Sequence, residues 1–305
     1  MQSGTAERYR SPQESSHICE EFLALCGLDR AGARELLTLP VERILEAQEK
    51  MVRRTVAATF AVPLPFQPTV TTPALPLPPL ESVRNGLNAE VDLLIGTNLN
   101  EGSFSVEMRA PVPGDPDYPD RAAAVLAESG VGAGVGAGYA AAYADALTQV
   151  LSAAPSGRQL LEAAIADSVY RQPSNRLLDA RAEAPGRNFS YLFTWCSPAL
   201  GGKLGSCHAL EIPFVFRHLN RPEAAFLTRG KAPDGLSKAM SSAWASFGQS
   251  GTPRLPGLEW PEYGPLRATM ILDQEPHVEA DPRRELREFF EAAPTMDSGR
   301  ISWRP

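Results

Sequence analysis

Histidine and cysteine are scarce in this chain, four of each among 305 residues. Four cysteines are too few to staple a chain of this length into a disulfide scaffold. Cys19 and Cys26 fall in one predicted helix, where a rise of about 1.5 Å per residue separates them by roughly 10 Å, beyond bridging distance. Cys196 and Cys207 flank a glycine-rich loop and have room to pair. The expectation is nevertheless four reduced thiols, as in a cytoplasmic protein. No two histidines have metal-site spacing, so no zinc or other metal is expected, and no cofactor. Basic charge is also short: 29 Lys and Arg against 36 Asp and Glu leave a net charge of −7. That balance excludes a general nucleic-acid binder, which needs a basic face. No apolar run reaches the roughly 18 residues of a membrane span. The opening "MQSGTAERYRSPQESSHICEE" lacks the apolar core of a signal peptide. There are no internal repeats.

What is present is a globular composition. Hydrophobic residues make up 43 %, enough to fill the core of one large domain or two medium ones. Helical spacing runs from Ser15 to Leu25 with Gly27 as a stop, and a second helix is expected from Pro40 through "VERILEAQEKM". Residues 62–80, "VPLPFQPTVTTPALPLPPL", read as a proline-rich surface segment. "VDLLIGTN", Val91–Asn98, is a buried parallel strand, because the apolar run does not alternate. "RAAAVLAES" is helical. Residues 129–140, "SGVGAGVGAGYA", form a glycine-rich loop. Gly132, Gly134 and Ala137 match a nucleotide-loop pattern, but that mechanism needs a strand before it, and the preceding segment is helical. A long helix is expected over Gly157–Ala182, kinked or broken at Pro173. "NFSYLFTW" is a strand, Leu236–Gly248 a helix, "RATMILD" a late strand and "RRELREFFE" a final helix. Strands alternating with helices predict an α/β architecture.

Two residues carry the chemistry. His208 follows a strand and a small-residue loop, "LGSCHAL", where α/β folds place functional groups. His17 lies on a helix, His218 after an apolar run and His277 among charges. Glu101 lies in "GTNLNEGSF", beyond the carboxyl end of the first strand. A carboxylate there can accept Nδ1–H of a histidine, fixing its tautomer and stabilising the imidazolium.

Taken together, "LLIGTNLNEGSF" and "CHALEIPFVF" resemble the type B carboxylesterase family, the cholinesterase-like branch of the α/β-hydrolases. "MQSG", "SYLFTW", "SPALGGKLGSCHALEIPFVF", "SFGQSGTP" and "WPEYGPLRATMILD" look like segments of its bacterial para-nitrobenzyl esterase group, in the family's order. The resemblance extends over residues 1–305. It implies Glu101 as acid, His208 as base and Ser3 as a hydroxyl beside the acid. The implied substrate is a small-molecule carboxylic ester.

The family's nucleophile sits in G-x-S-x-G upstream of "QSG", and that pattern does not occur here. Ser250 in "GQSGT" has its second glycine one place early. Cys207 sits in a look-alike frame without a strand-turn-helix, and Ser3, Ser103 and Ser206 fail the pattern too. The family's glycine-rich oxyanion loop is likewise missing. The resemblance therefore implies the C-terminal part of an α/β-hydrolase fold. Its central sheet would be incomplete, lacking the early strands and the nucleophile elbow. A chain truncated at an internal methionine would be inactive alone, and would associate with its N-terminal half or with itself. The alternatives are an inactive esterase-like interaction protein and a decayed fragment. "TVTTPAL" departs from the family pattern. Phe104, Trp195, Phe214 and Phe216 are placed to line a pocket, with core packing the expected role of each.

Overall fold

The computed structural model describes residues 1–4, 7–58, 65–109, 116–128 and 137–292. Helix α1 (Pro12–Cys26) starts on a reciprocal cap. Ser11 accepts from the Glu14 amide, the Glu14 carboxylate accepts from the Ser11 amide, and Pro12 occupies a first-turn position that needs no N–H. It ends at Gly27, the predicted stop, which takes the left-handed conformation at φ 78°. Helix α2 (Val41–Ala58) follows Pro40 as expected, and α3 spans Pro79–Arg84.

Of the proline-rich residues 62–80, positions 62–64 lie outside the described residues. From there Thr69 bridges Arg10, Val70 is buried, and Pro79 and Leu80 already belong to α3. Strand β1 (Leu93–Asn98) leads into α4 (Ser103–Met108), and α5 (Tyr118–Glu128) precedes α6 (Ala137–Leu151). Residues 129–136 of the glycine-rich stretch lie outside the described residues. Its last four, Ala137–Ala140, open α6 instead of a loop, because "AGYAAAYADAL" supplies alanine at every turn.

The long helix expected over Gly157–Ala182 is divided more finely than one kink. Helix α7 (Gly157–Ile165) widens into a π turn over Ala166–Arg171 and resumes as α8 (Gln172–Ala180). Pro173 explains the site of the change. It has no N–H to donate, and its ring crowds the carbonyl four residues back. The wider turn is closed by the Gln172 amide donating to the Asp167 carbonyl, five residues earlier.

Strand β2 (Asn188–Phe193) is followed by the short helices α9 (Ile212–Val215) and α10 (Pro222–Thr228), then by α11 (Asp234–Ser250). Strand β3 (Ala268–Leu272) matches "RATMILD", and α12 (Arg284–Ala292) matches the final helix. Strand β4 (His277–Ala280) carries no apolar pattern and is exposed at all four positions, so nothing in its sequence announced it.

Among the described residues the sheet has four strands in the order β1-β2-β3-β4. The first three are parallel and β4 is antiparallel. Residues Met1–Ser3 add a stub on the free side of β1. Gln2 bridges Gly96 in parallel, and the Ser3 amide donates to the Gly96 carbonyl at 2.9 Å. "MQSG" thus bridges the edge of β1 at Gln2 and bends away at Ser3.

The parallel strands are buried on both faces. On one face Phe189, Phe193, Met270 and Leu272 pack with Phe214 and with Met240 of α11. On the other Ile95 packs with Leu177 and Leu178 of α8. A further cluster joins α5, α6, α7 and α12 around Tyr143, Leu161 and Phe290. Each such side chain contributes about 1.5–3 kcal/mol by leaving water. This αβα layering brings the carboxyl ends of β1 and β2 side by side.

Candidate active site

The chain leaves β1 at Asn98 and turns sharply, so that Glu101 folds back onto the strand end. Its carboxylate is fully buried and accepts three hydrogen bonds. The Asn98 amide donates to Oε1 at 2.7 Å and Ser3 Oγ to the same oxygen at 2.5 Å. His208 Nδ1 lies 2.6 Å from Oε2. An ionised carboxylate only accepts, so Nδ1 carries the proton and the lone pair sits on Nε2. The His208 side chain as a whole is 44 % exposed.

Residues 107 apart meet because their loops leave neighbouring strands and are stitched together. Asn100 bridges Cys207 in parallel. The Asn100 amide donates to the Ser206 carbonyl at 2.9 Å, and the Ser206 amide returns a bond to Asn100 Oδ1 at 3.0 Å. Ser103 Oγ donates to the Leu204 carbonyl and Ser206 Oγ to the Phe193 carbonyl. Gly102 is required because a β-carbon there would lie 2.3 Å from the Glu162 carbonyl of α7. Asn98 Nδ2 reaches both the Cys207 carbonyl and Glu211 Oε2, each at 2.6 Å. Gln2 Nε2 donates to the other Glu211 oxygen at 3.0 Å.

The hydrogen bond to Glu101 raises the His208 pKa above the ordinary imidazole value, against the opposing effect of partial burial. Burial is the main cause of a raised Glu211 pKa, assisted by the charge of Glu101. Tyr170, from the π turn, lays its ring against the imidazole with centroids 5.0 Å apart. Arg171, the next residue, donates from Nη2 to the carbonyls of Asn98 and Leu99, at 3.0 and 2.8 Å.

The other sequence candidates fall elsewhere. His17 and His218 are exposed, and His277 is an exposed strand residue beside Glu279. Burial pushes the Cys207 thiol up to about 12, so it does not supply a thiolate nucleophile. Cys196 and Cys207 are both free, as are Cys19 and Cys26. Ser250 sits at the exposed end of α11, bonded to the Ser246 carbonyl. The hydroxyl protons of Ser103 and Ser206 are committed to backbone carbonyls. Trp195 and Phe214 are core residues packed on each other, whereas Phe104 and Phe216 are exposed. Among the described residues, no group of three His, Cys, Asp or Glu side chains is placed to hold a metal ion, and no helix is long and apolar enough to cross a membrane.

Asn98, Glu211, Tyr170 and Arg171 were not singled out in the sequence. Only Glu211 had a signal, its place three residues after His208.

A model of the carboxylesterase family matches residues 1–290. The para-nitrobenzyl esterase of Bacillus subtilis is 26 % identical over 293 residues, covering 94 % of this chain and 55 % of its own length. The phenmedipham hydrolase of Pseudarthrobacter oxydans is 27 % identical over 217 residues, covering 66 % of this chain and 38 % of its own length. The chain therefore spans about half, or less, of the curated relatives it matches. Among solved structures, a thermophilic para-nitrobenzyl esterase superposes with a TM-score of 0.72 at 27 % identity, over 95 % of this chain and 56 % of that one. A carboxylesterase of Geobacillus stearothermophilus gives 0.70 at 23 % identity, over 94 % of this chain and 56 % of that one, a likeness of fold.

Proposed function

Because the chain belongs to the carboxylesterase family, we propose that it carries the acid and base of a serine-type carboxylic ester hydrolase, Glu101 and His208, and that the hydroxyl they activate comes from residues outside this sequence. The observation that carries the reading is the buried Glu101 carboxylate 2.6 Å from Nδ1 of a part-exposed His208. The 305 residues contain no G-x-S-x-G, and the relatives are nearly twice as long.

In this reading Nε2 of His208 takes the proton of a serine hydroxyl as its oxygen attacks the ester carbonyl. Glu101 holds the Nδ1 proton and stabilises the imidazolium. The imidazolium then protonates the departing alcohol, leaving an acyl-enzyme. Water repeats the cycle: His208 takes its proton, and the acid leaves with the serine hydroxyl restored. Ser3 and the Asn98 amide occupy Oε1 of Glu101 and keep Oε2 for the histidine.

The substrate is a small-molecule carboxylic ester. In this reading the nucleophile and oxyanion donors come from an N-terminal segment that joins the sheet beside Met1–Ser3. Four free thiols fit a reducing compartment such as the cytoplasm.

The test is hydrolysis of a p-nitrophenyl ester. The 305-residue chain alone should show no turnover above its His208→Ala variant. A longer chain supplying G-x-S-x-G in phase should hydrolyse the ester and lose activity on replacement of that serine, Glu101 or His208. Turnover by the 305 residues that depends on His208 would overturn the proposal.

A further inference from the structure

The π turn between α7 and α8 delivers two consecutive side chains to the two site loops, Tyr170 to the imidazole and Arg171 to the acid turn. The guanidinium is buried. Nη2 bonds the carbonyls of residues 98 and 99, where the chain leaves β1, and Nη1 bonds Asp167 at 2.6 Å. Asp167 is itself fully buried and accepts from Tyr143 Oη at 2.7 Å. Arg283 of the segment before α12 acts on the same carboxylate from farther off. The planar fork thus ties the helical layer to the backbone of the residue whose amide grips Glu101.

We infer that Arg171 is the positioning residue of Glu101: it pins the turn after β1 so that the carboxylate stays in hydrogen-bond reach of His208. The inference rests on the proposed pairing of Glu101 with His208. Its physical basis is that the acid turn is held on three sides. Gly102 abuts α7, Asn100 is bonded to the histidine loop, and Arg171 holds the carbonyls of Asn98 and Leu99 that precede them. The first two fix the outer part of the turn. Arg171 acts at its root, one peptide from the amide that orients Oε1.

The sign of the effect separates positioning from simple charge. Removing a cation near His208 favours protonation and raises its pKa. Releasing Glu101 from the imidazole lowers it toward the free value of about 6.5. A core substitution that only loosens the fold does neither selectively.

The test is the pH profile of His208 carbethoxylation by diethyl pyrocarbonate in the full 305-residue chain, followed at its peptide by mass spectrometry. His17 and His218, both exposed, serve as internal references. The reagent attacks the neutral Nε2, so the inflection reports the imidazole pKa. Reading it against each variant's own high-pH plateau removes differences in access. Wild type should inflect above the free-imidazole value of about 6.5, and Glu101→Gln should lower the inflection toward it. Arg171→Met should recover at least half of that fall. Arg171→Lys, which offers one ammonium for three acceptors, should lie between. Leu147→Ala, a core change in α6, should leave the inflection in place.

An Arg171→Met inflection that is unchanged or higher, with Glu101→Gln still lowering it, would overturn the inference and leave the acid–base pairing standing. A wild-type inflection near 6.5 that Glu101→Gln does not move would overturn the pairing itself. Should Arg171→Met not fold, Arg171→Lys decides, a partial fall supporting the inference and no change refuting it.

Discussion

Gly205 lies against the side chain of Asn100 so closely that a β-carbon would stand 2.4 Å from Asn100 Oδ1, and its backbone is left-handed at φ +53°. This contact lets the histidine loop and the acid turn exchange hydrogen bonds. Gly205→Ala should therefore damage both. The left-handed backbone costs about 1–2 kcal/mol, and overpacking adds about 1–3 kcal/mol. Denaturant unfolding should show the loss, and the His208 inflection should drop with it. A folded variant of wild-type stability would show that the approach can relax.

The pairing of His208 also sets a pH dependence of stability. Its folded pKa is raised above the unfolded value of about 6.5. The native state then holds the proton more tightly than the unfolded chain. The stabilisation is complete below about pH 6.5 and is lost as pH rises through the folded pKa. Glu101→Gln should remove this contribution. Unfolding free energies of the two chains at pH 6 and pH 9 should differ more at pH 6. Equal differences would show that the pair does not titrate.

Glu162 of α7 provides an independent case. Burial is the main cause that raises its pKa to about 7, although Arg158 opposes the shift. A raised carboxyl likewise favours the fold at low pH, here below the unfolded value near 4.5. On ionisation between that value and about pH 7 the advantage is lost, on the order of 3 kcal/mol. Glu162→Gln, which never ionises, should flatten the stability profile between pH 5 and 8 and be relatively more stable at pH 8. A wild-type slope in that variant would place the titration elsewhere.

The thiols should divide into two classes. Cys19 and Cys196 are exposed, while Cys26 and Cys207 are buried; desolvation raises the pKa of both buried thiols and, despite its exposure, that of Cys196. Iodoacetamide at pH 8 should label the first two in the native state and the second two only on unfolding. Fast native labelling of Cys207 would mean that the His208 loop opens locally.

Much of this molecule could be read along the chain. Capping residues, helical spacing and unbroken apolar runs marked α1, α2, α11 and the three parallel strands, because those signals act over a few residues. The family likeness pointed to Glu101, His208 and Ser3 through motifs around each. Position in space was another matter. Asn98 reaches Glu211 across 113 residues, and Arg171 reaches Leu99 across 72. No local periodicity encodes such contacts. Pro173 announced a break in the long helix, but the choice of a π turn, and hence which side chains face the acid turn, depended on packing against β1 and the histidine loop. The elevated pKa of Glu162 belongs to the same class. Burial there is set by neighbours that only the folded layers bring together.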